Sequence, residues 1–353
     1  MPIVAEKYQF VIGVDTHAAS HAFAVVDAVH GSVISQEEFP ATTAGVSRAA
    51  AWVARRSAQF DAVLVVVEGI GSYGAGVARV FGRVGYRVVE AGAQPRGNRR
   101  GKGKTDALDA VRIARSVLGM DSDSLRVPRA DGTRNALRIL VIAREMITRE
   151  STAGINALTS LLRTEELGVD ARKALTMSQL RQVAAWRART DEPIDVAVAR
   201  AEATRLARKV LELREQAKTN EHRLRDLVLN VAPDLLDMRG VGPVTAAVVI
   251  VAWSHRGRVR SEAAFAALAG TCPIPASSGN TQRHRLNRGG DRRLNWAIHT
   301  ITMVRMGRDS STKAYVARRI AEGKTKREAM RCVKRYVTKH LHRTLQNSPA
   351  LAT

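Results

Sequence analysis

Residues 62–67 read AVLVVV, an unbroken apolar run rich in β-branched side chains. Such residues crowd a helix but fit a pleated strand. A strand apolar on both faces must be covered on both, so this segment demands a sheet with helices packed on each side. The flanking sequence supplies them. Residues 8–26 read as two strands, FVIGVD and HAFAVVDA, joined by a short turn at 16–20, and a third strand is expected near 31–39. An Ala-rich helix follows Thr43 and ends near Arg56. A second helix is expected over 76–85 and a strand over 86–90. Strands alternating with helices predict an α/β domain with a mixed sheet.

Acids stand at the ends of these elements. Asp15 closes VIGVD and Glu68 closes VLVVVE. In open α/β sheets the reactive crevice lies at the carboxyl ends of strands. A glycine-rich basic loop then carries Arg99, Arg100, Lys102 and Lys104, candidate phosphate contacts, and runs into a helix with Thr105 as its expected N-cap. Asp106 and Asp109, three apart, share one face of that helix. Singly, an acid after a strand is a turn former, and Asp106 is a first-turn acid favoured by the helix dipole. Together the four can converge. Clustered carboxylates repel unless a cation neutralises them, and Mg²⁺ prefers such hard oxygens. Two ions about 4 Å apart stabilise both the attacking and the leaving oxygen of a phosphodiester exchange. Gly69 and Gly71 fit a tight turn beside Glu68.

From about residue 129 to 235 the texture changes to Ala, Leu, Arg, Glu and Gln at helical spacing, clearest over 197–231. This predicts long helices in a hairpin or coiled coil, serving as a linker arm, a dimerisation element or a plain helical subdomain. Beyond Pro233, MRGVGPVTAAVVIVAW reads as a glycine-proline hairpin entering an apolar helix. Gly240 and Gly242 there resemble the phosphate-binding turn of helix-hairpin-helix modules, although a simple helix connection has the same form. Residues 271–293 read as a loop rich in Ser, Gly and Arg. It holds the adjacent Ser277 and Ser278, with Arg283, Arg285, Arg288, Arg292 and Arg293 following. Arginines hold phosphates well. A serine is a poor nucleophile unless activated, so composition alone favours a phosphate-binding loop. The tail, EGKTKREAMRCVKRYVTKHLHRTL, predicts a basic amphipathic helix on which His340 and His342 are expected to be solvated or phosphate-facing.

The charge narrows the partners. Lys and Arg number 56 against 33 Asp and Glu, a net charge of +23. Such an excess attracts polyanions, nucleic acid above all. A membrane is disfavoured because no apolar run is long enough to span one. The N-terminus has no signal-peptide pattern, and two cysteines argue against a disulfide framework, so a cytoplasmic, nucleoid-associated protein is expected.

The motifs VIGVDTH, VVVEGIGSYG and KTDALDA, followed in order by DMRGVGPVTA, CPIPASSG, RGGDRRLNWAI and GKTKREAMRCVKRYV, resemble the IS110 family of bacterial insertion-sequence transposases, also described as DEDD transposases. The resemblance implies a RuvC-like, ribonuclease-H-type α/β domain over 1–128, a helical linker and dimerisation segment over 129–232, and a mainly helical serine-bearing transposase domain over 233–353. It implies that Asp15, Glu68, Asp106 and Asp109 are the DEDD metal ligands, with Mg²⁺ as the cofactor. It further implies that Ser278 is the nucleophile, that a structured bridge RNA guides donor and target DNA, and that dimers assemble into tetramers with sites composed between subunits. Two departures stand out. Ser277 adjoins Ser278, so either can be the nucleophile, and GGD replaces the more usual pair near Gly290. Two alternatives remain at this point: a junction-resolving nuclease that uses only the carboxylates and water, and a non-catalytic nucleic-acid-binding protein.

Overall fold

The computed structural model describes residues 2–57, 59–92, 105–129, 132–277 and 284–351. The chain divides into two compact units, 1–129 and 130–353.

The N-terminal unit is built on five strands: β1 (Phe10–Thr16), β2 (Ser20–Asp27), β3 (Val33–Pro40), β4 (Val63–Val67) and β5 (Arg87–Glu90). Their order is β3-β2-β1-β4-β5. β1, β4 and β5 run parallel, and β2 is antiparallel to both of its neighbours. The unit's helices are α1 (Val4–Lys7), α2 (Thr43–Ala54), α3 (Ala75–Val84) and α4 (Asp106–Arg115). Every residue of β4 is buried, as its composition requires. Leu64 and Val66 join one core with Val11 and α4. Val63, Val65 and Val67 join another with Ile12, Val14, α2 and α3. The period of two thus splits each central strand between two helical layers.

The C-terminal unit is helical: α5 (Thr133–Thr164), α6 (Met177–Ala184), α7 (Ile194–Val231), α8 (Asp234–Asp237), α9 (Pro243–Trp253), α10 (Glu262–Leu268), α11 (Arg292–Arg308), α12 (Ser310–Ala321) and α13 (Lys326–Asn347). A short antiparallel hairpin, β6 (Ile274–Pro275) with β7 (His284–Arg285), interrupts them inside the segment expected to be loop. α9 is apolar around most of its circumference. A helix of that kind belongs at a core's centre, and α5, α7, α11 and α13 pack about it.

α5 and α7 form the expected hairpin, about 48 and 57 Å long at 1.5 Å per residue. Its two ends have separate cores. At the root, Leu137, Val141, Leu224 and Val228 join the core around α9. At the tip, Leu158, Leu162, Ala203 and Val210 close over α6 through Leu180 and Val183. Between them α5 has no buried residue from 142 to 157. A polar tie crosses the start of this stretch, Arg144 Nη1 donating to the Ala217 carbonyl at 2.8 Å, and another lies just before it, Asn220 Nδ2 donating to that of Leu140 at 3.0 Å.

The expectation for His342 is corrected. It is buried on the inner face of α13, its ring 5.8 Å from that of Phe265. The tail helix turns this position into the core, whereas His340 stays exposed. No helix among the described residues is long and apolar enough to cross a membrane.

Candidate active site

β1 and β4 are neighbours in register, Val14 opposite Val67. The next residues, Asp15 and Glu68, therefore stand side by side at the carboxyl ends of the two strands, with Asp15 still paired to Ala22 of β2. The Glu68 N–H donates to the Val14 carbonyl at 3.0 Å, and Thr16 Oγ1 donates to the Glu68 carbonyl at 2.9 Å. Parity puts both acids on the α4 side of the sheet: 11, 13 and 15 alternate in step, as do 64, 66 and 68. Gly69 follows with φ of 65°, which turns the chain sharply.

α4 brings the other two acids. Thr105 caps it as expected, its Oγ1 accepting from the Leu108 N–H at 3.4 Å. Ala110, Val111, Ile113 and Ala114 face the sheet. Asp106 and Asp109 stand one turn before Ala110 and Ile113, so the helix carries them toward the strand ends. Gly13 permits this approach, since a Cβ there would lie 2.0 Å from the Ala110 carbonyl oxygen and 2.7 Å from the Ala114 nitrogen.

The resulting cluster is asymmetric. Asp15 is 7% exposed, whereas Glu68 and Asp106 face solvent and Asp109 is half-buried. Burial pushes the Asp15 carboxyl above its ordinary range. His17 opposes that rise, while Glu68, Asp106 and Asp109 all add to it. Glu68 and Asp109 are not in the group of side chains that can reach one ion together with Asp15. His17 Nδ1 lies 3.9 Å from Asp15 Oδ2 and 3.5 Å from Asp106 Oδ2, so Asp15, His17 and Asp106 can offer atoms to one ion. Asp109 is held by Arg112, Nη1 to Oδ1 at 2.7 Å. The sequence reading missed His17 as a site residue, although it stands two positions after Asp15 within VIGVDTH. It missed Gly13 too.

The basic loop residues Arg99, Arg100, Lys102 and Lys104 lie outside the described residues, as do Ser278 and Arg283. Ser277 is exposed, on the segment joining β6 to β7. Arg285, on β7, is exposed, and so are Arg288 and Arg292. Arg293 is engaged elsewhere in its own unit, its Nε 2.7 Å from Glu145 Oε1 and its Nη2 2.8 Å from Glu145 Oε2. The GGD triplet has a structural account. Gly290 has φ of 93°, and a Cβ there would meet the Leu268 carbonyl oxygen at 2.4 Å. Asp291 then caps α11 by accepting from the Arg293 and Leu294 N–H groups. At the GVGP turn Gly240 has φ of 83°, and the Gly242 N–H donates to Thr245 Oγ1 at 3.0 Å.

A five-stranded mixed sheet with acids at the ends of β1 and β4 and at the start of α4 defines the ribonuclease-H-like, RuvC-type DEDD class of domain. Comparison with known families is more specific. A DEDD transposase model of IS110 type, described as "Transposase", matches residues 12–166, and one described as "Transposase IS116/IS110/IS902 family" matches 232–317. Together they span about two thirds of the chain, and the chain belongs to the IS110 family of transposases. It is also similar to an insertion element IS110 protein of Streptomyces coelicolor, 34% identical over 101 residues. That match covers 28% of this chain and 25% of the relative.

Proposed function

We propose that this chain is the recombinase of an insertion sequence, cutting, exchanging and rejoining DNA strands through a transient serine–DNA link. The meeting of the buried Asp15 with His17 and Asp106, with Glu68 beside it at the end of β4 and Asp109 on the same helix face as Asp106, carries this reading. A buried carboxyl surrounded by like charges is costly, and hard oxygen donors in that arrangement fit a divalent cation such as Mg²⁺. Asp15, Glu68, Asp106 and Asp109 would hold it. When bound, the ion supplies positive charge to the phosphate under attack.

The chain's own groups do the rest. Arg112 keeps Asp109 oriented. Arg285, Arg288 and Arg292 offer guanidinium groups to phosphate oxygens. Ser278, on the family motif, is the nucleophile, with its neighbour Ser277 as the other candidate. Its Oγ forms one bond to phosphorus as one phosphorus–oxygen bond breaks. The displaced oxygen takes a proton and leaves as a hydroxyl. The reverse step, with a new strand's hydroxyl attacking, releases the serine and rejoins the DNA without ATP, because the number of phosphoester bonds is conserved.

A domain reading goes with this chemistry: a catalytic RuvC-like part over 1–128, a linking and dimerising arm over 129–232 and a serine-bearing part over 233–353. Dimers assembling into tetramers would pair the carboxylates of one subunit with the serine of another. A structured bridge RNA would select donor and target DNA in the cytoplasm, at the nucleoid. The net charge of +23 suits a protein that holds two polyanions.

The deciding experiment is Ser278→Ala, with Ser277→Ala beside it. Ser278→Ala is expected to abolish recombination and the covalent protein–DNA adduct while leaving DNA and RNA binding intact. Normal recombination by Ser278→Ala would remove that serine from the chemistry. Strand cleavage by the wild type without any adduct would favour a hydrolytic junction resolvase. Sequencing the RNA that copurifies with the protein tests the guide.

A further inference from the structure

α12, α13 and the β6–β7 hairpin line an open cavity of about 400 Å³ in the C-terminal unit. Among the described residues six Arg and Lys side chains line it, against a single carboxylate, Glu328. Three of the six have acidic partners: Arg319 with Glu322, Arg331 with Glu328, and Arg335 with Glu262. Lys334 differs. It is half-buried, burial pulls its ammonium below the ordinary lysine range, and its hydrogen bond at 3.0 Å goes to the neutral Asn295 Oδ1. Among the described residues no carboxylate forms an ion pair with Lys334 or with Arg285. A part-buried cation with only a neutral partner favours an anion arriving from outside.

The same cavity has aromatic walls. Tyr315 and Tyr336 meet edge to face, ring centroids 5.5 Å apart at 82°. The Arg319 guanidinium lies over the Tyr315 ring at 5.6 Å. Tyr336 keeps 60% of its surface exposed, a large ring facing solvent beside the cations. Cations next to stacking planes match a nucleotide, a flat base carrying a phosphate. The volume suits one nucleotide, and a base can enter only when it has left its stack. His284 and Arg285 of the lining belong to the hairpin whose connection carries Ser277 and Ser278.

We infer that this cavity receives one unstacked DNA nucleotide beside the strand that the serine loop engages, with its base on Tyr336 and its phosphate on Lys334 and Arg285. The inference rests on the recombinase reading above. It gives the serine loop a means of fixing the strand's register: holding a nucleotide close by limits which phosphate the serine can reach.

The chain has two cysteines, Cys272 and Cys332, and both line this cavity. Maleimide alkylation of the full-length wild type therefore reads its occupancy. Three probes of one sequence are compared at saturation: single-stranded DNA, single-stranded RNA and duplex DNA. Single-stranded DNA is expected to slow alkylation of both thiols, and duplex DNA is not. Tyr336→Ala should weaken single-stranded DNA binding about tenfold, and Tyr336→Phe should keep it. Bound single-stranded DNA that leaves both thiols reacting at the free rate overturns the inference, and protection by RNA alone overturns the assignment to DNA. If the thiols are inert in the free protein, photocrosslinking with iodouracil DNA decides: a crosslink on Tyr336 supports the cavity, and crosslinks only elsewhere overturn it. A serine adduct with unprotected thiols sinks the cavity and leaves the recombinase reading. Protection without any adduct supports the cavity and sinks the serine chemistry.

Discussion

At the scale of single residues, Asp15 concentrates the physics of the site. Its carboxyl sits above the ordinary range, first through burial and then through its acidic neighbours. A raised carboxyl binds its proton more tightly in the folded than in the unfolded state. The metal-free protein therefore carries a stability contribution that is full at acid pH and is lost as pH rises through the raised value. Asp15→Asn removes that loss. Its thermal midpoint without metal should exceed the wild type's at neutral pH, and the gap should shrink toward acid pH. Added Mg²⁺ should raise the midpoint of the wild type and leave Asp15→Asn unchanged, which differential scanning fluorimetry can follow. His17→Ala should weaken divalent-ion binding roughly tenfold by calorimetry, in line with groups that orient carboxylate ligands. The four acids were legible in the sequence because Asp15 and Glu68 close apolar strand runs and Asp106 and Asp109 share the first turn of a capped helix. His17 was not, because a histidine after a strand carries no periodic signal. The pairing of Arg293 with Glu145, 148 residues away, is tertiary and leaves no local trace.

At the scale of elements, the site depends on how closely α4 approaches β1. Gly13→Ala sets a methyl group against the Ala110 backbone, where neither side can yield cheaply. The expected cost is about 3 kcal/mol or more, measurable by denaturant titration. Where the fold survives, metal affinity should fall as well, because Asp106 and Asp109 move with the helix. β4 and the long α7 were readable from pattern alone, the first by its all-apolar run and the second by helical spacing over 197–231. The β6–β7 hairpin was not. Strands of two residues show no alternation, and Pro275 argues against a strand. Gly13 was missed for a similar reason, since the need for glycine lies in the helix laid across it.

For the whole molecule, charge would govern the proposed encounter with DNA. A protein of net charge +23 that covers several phosphates should lose roughly a thousandfold in affinity between 50 and 200 mM salt. Fluorescence anisotropy across a salt series checks this, and a flat response would remove phosphate contacts as the source of binding. The slope should be the same for wild type and Ser278→Ala, because one neutral hydroxyl displaces no counterions.

The α5–α7 pair behaves mechanically as a beam clamped at both ends. Its root is fixed in the core around α9, its tip is stiffened by α6, and mid-span it is held by polar ties and by the buried Leu213 of α7. Flexure concentrates where packing is thinnest, over residues 142–157 of α5. The far end can then swing through an arc while both clamps stay intact, a compliant joint instead of a rigid strut.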